Sequence, residues 1–118
     1  MERKIMLSQG GVYLAKLDPA KYAEIGKIRP VAVLTASIIL EVFPEIVFIC
    51  PLNSQSYPEH DYLHVKLLPR DNLQKTSFAL TEHCRSISVH RLSTPKLAQL
   101  TDQELTIILS RLQRMVGL

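Results

Sequence analysis

The strongest constraint in this sequence is a change of rhythm near residue 100. Before it, apolar residues come in short runs closed by prolines; after it, they recur at helical spacing. Thr101-Asp102-Gln103-Glu104 reads as a capping box, the Thr hydroxyl reaching the N3 amide and Glu104 reaching back. Leu105, Ile108, Leu109, Leu112 and Val116 then form one apolar stripe, Arg111 and Arg114 lie off it, and Gly117 is a natural stop.

Ahead of that helix, β-rich runs dominate. Val12 to Leu17 ends at Asp18-Pro19, because proline removes a ladder donor. A polar loop runs to Arg29-Pro30, then Val31 to Leu34 reads as a strand buried on both faces. Residues 36–45 fit either a helical turn or a long hairpin connection. Ile46 to Cys50 is the next core strand, stopped by Pro51. Tyr62 to Leu67 alternates, with Leu63, Val65 and Leu67 on one face, and Pro69 closes it. Phe78 to Leu80 and Arg85 to Val89 are short strands, and Thr94-Pro95 predicts a short helical turn through Leu97. The order predicts an α+β, mainly β class: a small, curled, mostly antiparallel sheet with a terminal amphipathic helix against it.

Composition bounds the setting. A chain of 118 residues suits one domain spanning 1–118, and 47% hydrophobic content supports a core without staples. The opening Met1 to Leu7 lacks the apolar core of a signal peptide. Runs such as Ile46 to Cys50 fall far short of the ~20 residues that span a bilayer, so no membrane association is expected. Cys50 and Cys84 read as reduced, partly buried thiols, and the location as cytoplasmic. A net charge of +3, with both signs interspersed, is compatible with a phosphate-bearing partner and forms no basic tail.

Four ordered segments carry more. Gly10-Gly11-Val12-Tyr13 leads to Asp18-Pro19; Glu24-Ile25-Gly26-Lys27-Ile28-Arg29-Pro30-Val31 follows. Then come Cys50-Pro51-Leu52-Asn53-Ser54-Gln55 and Ala79-Leu80-Thr81-Glu82-His83-Cys84-Arg85-Ser86-Ile87, with Arg91-Leu92 after them. Together they resemble the MazF/PemK toxins of bacterial type II toxin–antitoxin systems, over roughly residues 8–117. The resemblance implies an SH3-like antiparallel β-barrel with a C-terminal helix (CcdB/PemK-like), found as a homodimer. It implies an mRNA interferase: a sequence-specific, metal-independent endoribonuclease that cleaves single-stranded RNA and halts translation and growth. A cognate antitoxin is implied as partner, with operator DNA bound through the antitoxin, and no cofactor.

The implied chemistry assigns the residues. Attack by the RNA's own 2′-hydroxyl passes through a phosphorus carrying extra negative charge, which needs fixed cationic donors and a proton carrier. Arg29 matches the family's functional arginine; the other role open to it is surface pairing with Glu24 or Glu82. Where the family has a functional Thr or Ser, this chain has Asn53, followed by Ser54. An amide donates to phosphate but transfers no proton at neutral pH, so Asn53 is either a phosphate ligand or a turn residue. Glu82 matches the family's acidic position. His83 replaces the usual Gln, and an imidazole suits proton transfer. Arg85 either binds backbone phosphate or pairs structurally. Lys27 and Gln55 fall within matching segments as RNA-binding candidates, and Tyr22 and Tyr57 are placed in loops where they can stack unpaired bases.

Metal and dyad chemistry are not expected. His60 and His64 on an extended strand would lie ~13 Å apart, too far for one ion. His83 and Cys84 would point oppositely on extended backbone. Two alternatives stay open: a gyrase poison of the CcdB type, against which the absence of tryptophan counts, and a catalytically weak nucleic-acid- or antitoxin-binding module.

Overall fold

The structure, a computed structural model, describes residues 6–118. Residues 1–5, which hold most of the segment expected to contain no leader, lie outside the described residues. Among the described residues, the chain forms β1 (Gly11–Lys16), β2 (Ile28–Val33), α1 (Ser37–Val42), β3 (Ile46–Asn53), β4 (His64–Leu67), β5 (Ser77–Leu80), β6 (Arg85–Ser88), β7 (Leu92–Gln99) and α2 (Asp102–Met115). Three 3-10 turns, Pro58–His60, Thr81–His83 and Val89–Arg91, punctuate the second half. None of the helices is long and apolar enough to cross a membrane.

The sheet is antiparallel and runs β4-β5-β3-β2-β1-β7, with β6 also paired to β3. Successive side chains on its central strands feed two cores, one on each face. Val12, Ala32, Cys50 and Leu52 pack beneath α2 with Ile108, while Tyr13, Val31, Val33 and Ile49 pack on the other side with Leu40 of α1. This double burial is why β2 and β3 read as continuous apolar runs. Within residues 36–45 the chain forms the short helix α1, Ser37–Val42, whose Leu40 helps cover the second face.

Two prolines behave differently from the sequence expectation, and both shape the working end of the sheet. Pro51 does not stop β3. The Phe48 carbonyl accepts from Leu34 N–H, so even-numbered residues of β3 turn their polar groups toward β2 and residue 51 turns the other way. On that side the neighbour changes from β6, last paired at Ile49↔Arg85, to β5, first paired at Leu52↔Ala79. Its missing N–H therefore falls where the ladder changes partner. Pro30 likewise lies inside β2, which starts at Ile28 rather than after the proline. Its absent N–H points to β3, and the β2–β3 pairing ends one step earlier, at Val31↔Pro51. Beyond that pair the two strands are free to part.

Other expectations also shift. β4 starts at His64, because the Pro58–His60 turn and the bend after it consume Tyr62 and Leu63. Thr94-Pro95 opens no helical turn: β7 pairs with β1 at both ends, and residues 94–97 bulge past Tyr13, where a proline loses no ladder bond. The capping box of α2 is present as read. Its apolar stripe is rotated, however. Leu105, Ile108 and Leu112 pack inward while Leu109 and Val116 stay exposed, and Arg70 binds Glu104 on the inward-turned flank of the helix.

Candidate active site

Where β2 and β3 part, a cavity of about 510 Å³ opens. Its lining includes Arg29 from β2, Asn53 at the end of β3, Ser54, Gln55 and Tyr57 from the segment that follows, and Glu82 and His83 from the 3-10 turn after β5. Seven of the ten candidate site residues thus meet at one place.

Local bonding explains how Arg29 is aimed. The Lys27 N–H donates to Asp18 Oδ1 at 2.8 Å, and Glu24 Oε1 accepts from Lys21 N–H at 2.8 Å, so the loop closes on itself. Gly26 packs against the Asp18 side chain so closely that a Cβ would collide with its carboxylate and with Ala20. The Gly26 carbonyl then accepts from Arg29 Nε at 2.8 Å. Among the described residues Arg29 forms no ion pair, so the surface pairing with Glu24 or Glu82 does not occur. Its guanidinium keeps its other donors for a ligand.

Asn53 is held as a turn residue and remains able to donate. Its Oδ1 accepts from Gln55 N–H at 3.1 Å, the local motif its side chain favours, and its amide nitrogen makes no bond among the described residues. Gln55 is fixed in turn by the Tyr57 hydroxyl, which donates to Gln55 Oε1 at 2.8 Å. A second cavity of about 430 Å³ shares Arg29, Asn53 and Ser54 as its wall and is otherwise lined by Leu14, Leu52 and Leu97 with Asn72 and Lys75. The three residues form a polar ridge between two chambers.

Three candidates stand outside the first cavity. Tyr22 is fully exposed at the loop tip, with a left-handed φ of 55°, and Lys27 is exposed with φ 66°. Arg85 opposes Ile49 in the sheet, with its NH1 nitrogen buried and unpartnered.

Two residues that the sequence reading set aside line the first cavity. His60 and His64 are not ~13 Å apart: their ring centroids are 5.6 Å apart, because the chain between them turns instead of extending. Pro58 at the head of that turn was the available signal. His64 is buried and its Nε2 lies 2.6 Å from Glu82 Oε2. Thr81–His83 is likewise a turn, so the extended-backbone argument about His83 and Cys84 does not apply. Both cysteines are free, and burial, followed by the adjoining Cys84, pushes the Cys50 thiol well up, which leaves it a poor nucleophile. No group of three or more His, Cys, Asp or Glu side chains arranged for a metal occurs among the described residues.

The arrangement can hold an anion at Arg29 and the Asn53 amide, with imidazole and carboxylate groups lining the same cavity to move protons. Known proteins resemble this chain over almost its whole length. Residues 8–116 match the family model described as PemK-like, MazF-like toxin of type II toxin–antitoxin system. An endoribonuclease MazF of Staphylococcus saprophyticus is 28% identical over 116 residues, covering 96% of this chain and 93% of that protein. The crystal structure of MazF from Deinococcus radiodurans superposes with a TM-score of 0.80 at 22% identity, covering 98% of this chain and all of that one. A mycobacterial endoribonuclease in complex with its cognate antitoxin gives 0.74 at 16% identity, covering 96% and 97%. These structures share the fold.

Proposed function

The chain belongs to the PemK-like, MazF-like toxins of type II toxin–antitoxin systems, and from that membership we propose that it acts as an endoribonuclease on single-stranded RNA without a metal ion. The observation that carries the reading is the unpaired Arg29 beside Asn53 and Ser54, on a ridge between two chambers. A scissile phosphate seated there has a nucleotide on either side. Attack of the 2′-hydroxyl puts extra charge on the phosphoryl oxygens, and a guanidinium anchored by Gly26 stabilises it without rearranging. The Asn53 amide supplies a neutral donor, and the Ser54 hydroxyl stands next to it. Proton transfer falls to the acid–base groups lining the same cavity, where Glu82 and His83 stand with His60 and His64. Gln55 and Tyr57 contact the RNA inside the cavity; Tyr22, Lys27 and Arg85 extend the contact beyond it.

The proposal includes a cytoplasmic location, a cognate antitoxin as partner, and operator DNA reached through that antitoxin. It also includes a homodimer, supported by apolar side chains left exposed at Val42, Phe43, Ile46 and Phe48. Sedimentation at micromolar concentration should give twice the chain mass, and a monomer would remove that part. Incubation of the purified protein with unstructured RNA in EDTA tests the whole: discrete internal cuts ending in 2′,3′-cyclic phosphate are expected, and intact RNA would overturn it.

A further inference from the structure

The two cavities on either side of the ridge differ in charge. Glu24, Glu82 and three imidazoles line the first with Arg29. Among the described residues no carboxylate lines the second, which holds two cations, Arg29 and Lys75. Much of the rest of its wall is aliphatic and open: Leu14 is 37% exposed and Ile28 66%, and Leu52 and Leu97 continue the surface inward. Backbone bonds hold its rim. Arg70 and Leu73 close a tight turn on each other, Arg70 N–H donating to Leu73 O at 3.0 Å and Leu73 N–H to Arg70 O at 2.8 Å. Asn72 N–H donates to Leu97 O at 2.9 Å, which ties that turn to β7, and the Ser77 hydroxyl donates to Lys75 O at 3.1 Å. The backbone is committed, while the Asn72 and Gln74 amides and the Lys75 ammonium have no bonded partner among the described residues. An apolar floor, free amides and positive charge suit an unstacked nucleotide, whose base has apolar faces and a hydrogen-bonding edge and whose phosphates are anionic. The volume of about 430 Å³ is that of a small-ligand site.

We propose that this second chamber binds one of the two nucleotides flanking the cut, with Asn72 and Gln74 reading its base and Lys75 holding a neighbouring phosphate. The inference deepens the endoribonuclease reading and rests on it. Continuity with the ridge identifies the occupant. Arg29, Asn53 and Ser54 wall both cavities, so an RNA chain with one phosphate on the ridge continues into this chamber. The absence of carboxylates among its described lining leaves nothing there to repel the backbone. The roles divide by chemistry. An amide both donates and accepts, so it distinguishes one base edge from another. An ammonium only donates, and on a phosphate it adds affinity without regard to sequence. Because the turn that carries Asn72 is pinned to β7, its amide is presented from a fixed backbone.

Two measurements on the full chain test this, and the residues changed are all exposed, so the fold is not at stake. The first is binding of a 2′-fluoro RNA, which lacks the attacking hydroxyl and stays whole, followed by fluorescence anisotropy against salt. Lys75→Ala should weaken binding alike for all sequences and reduce the slope of log affinity against log salt by about 0.7, the share of one phosphate on a single strand. Lys66→Ala, on β4 and lining neither cavity, should leave that slope unchanged. The second is mapping of cut sites on a long unstructured RNA in EDTA. Asn72→Ala and Gln74→Ala should each relax base preference roughly tenfold at one position next to the cut, the same position for both. Wild-type affinity and slope in Lys75→Ala would overturn the phosphate contact. Cut-site preferences unchanged in both amide variants would overturn the base site. RNA bound with these dependences but never cut would overturn the endoribonuclease reading alone, and a wild type that binds no RNA would overturn both.

Discussion

Among the described residues two glutamates hold a basic partner, and they do so in opposite ways. Glu104 faces Arg70 with both oxygens, Oε2 lying 2.6 Å from one terminal guanidinium nitrogen and Oε1 against the other. Oε1 also accepts from Thr101 N–H at 2.8 Å, and Arg70 Nε donates to Leu68 O at 3.0 Å. Every strong group there has a partner. Glu82 makes one bond to His64 and leaves its Oε1, His64 Nδ1 and His60 Nδ1 buried and unpartnered. An unsatisfied buried polar atom costs about 1–3 kcal/mol, so this pair contributes less to stability than the Glu104 pair does. The satisfied pair fastens α2 to the sheet. The unsatisfied one lines the cavity. Bonding completeness, more than charge, separates the carboxylate that fastens α2 from the one proposed to act in the cavity.

That contrast breaks most visibly at Arg29, which belongs to the cavity end. Arg29→Ala should reduce RNA cleavage by about two to three orders of magnitude, as loss of one preorganised charge-stabilising donor does. Stability should fall by only about 1 kcal/mol, the net worth of its single bond to Gly26. Rate and denaturant midpoint measured on one preparation check both halves. Normal cleavage by the variant would mean the ridge is not where the phosphate sits.

Arg70→Ala should do the reverse, lowering stability by about 1.5–3 kcal/mol while leaving kcat alone. The same pair predicts a pH dependence. Its hydrogen bond from Arg70, ahead of that from Thr101, holds the Glu104 carboxyl below its ordinary 4.5. A carboxyl depressed by folding stabilises fully above that ordinary value, and the gain is lost as pH falls through the lower folded value. Acid unfolding of wild type should therefore include a component below pH 4.5 that is missing from Arg70→Ala. Superimposable acid transitions would show that the pair contributes nothing.

How much of each end was legible in the sequence follows from how local its causes are. The capping box needs four consecutive residues, so Thr101 to Glu104 was readable; Arg70, thirty-four positions away, was not. The stripe on α2 was placed slightly wrong, with Leu109 and Val116 counted as buried. Strands were legible where both faces are apolar, at β2 and β3. The prolines misled because whether a strand tolerates proline depends on which neighbour its N–H would meet, a fact of pairing rather than of sequence. At the cavity, the matched segments delivered Arg29, Asn53, Ser54, Gln55, Glu82 and His83 together, and the search for loop aromatics added Tyr57. His60 and His64 were lost to one assumption, that residues 60–64 are extended, which Pro58 should have weakened.

The smallest expected effect tests the residue that departs most from the family pattern. Asn53 uses its Oδ1 for the turn bond to Gln55 and leaves its amide nitrogen free toward the ridge. As a neutral donor it should matter less than a guanidinium, so Asn53→Ala should cost roughly three- to tenfold in kcat, a single net hydrogen bond. Threonine can form the same kind of turn through its hydroxyl and can donate to phosphate as well. Asn53→Thr should then cleave as fast as wild type or faster, with the acid limb of its pH profile unmoved, because in the proposed mechanism residue 53 carries no proton. If the threonine variant is dead and Ser54→Ala is dead too, the hydroxyl function belongs to Ser54, and the ridge meets the phosphate one residue further along the chain. If threonine raises the rate and also shifts the acid limb, residue 53 takes part in proton transfer. The division between an anion-binding ridge and a proton-handling wall would then have to be given up.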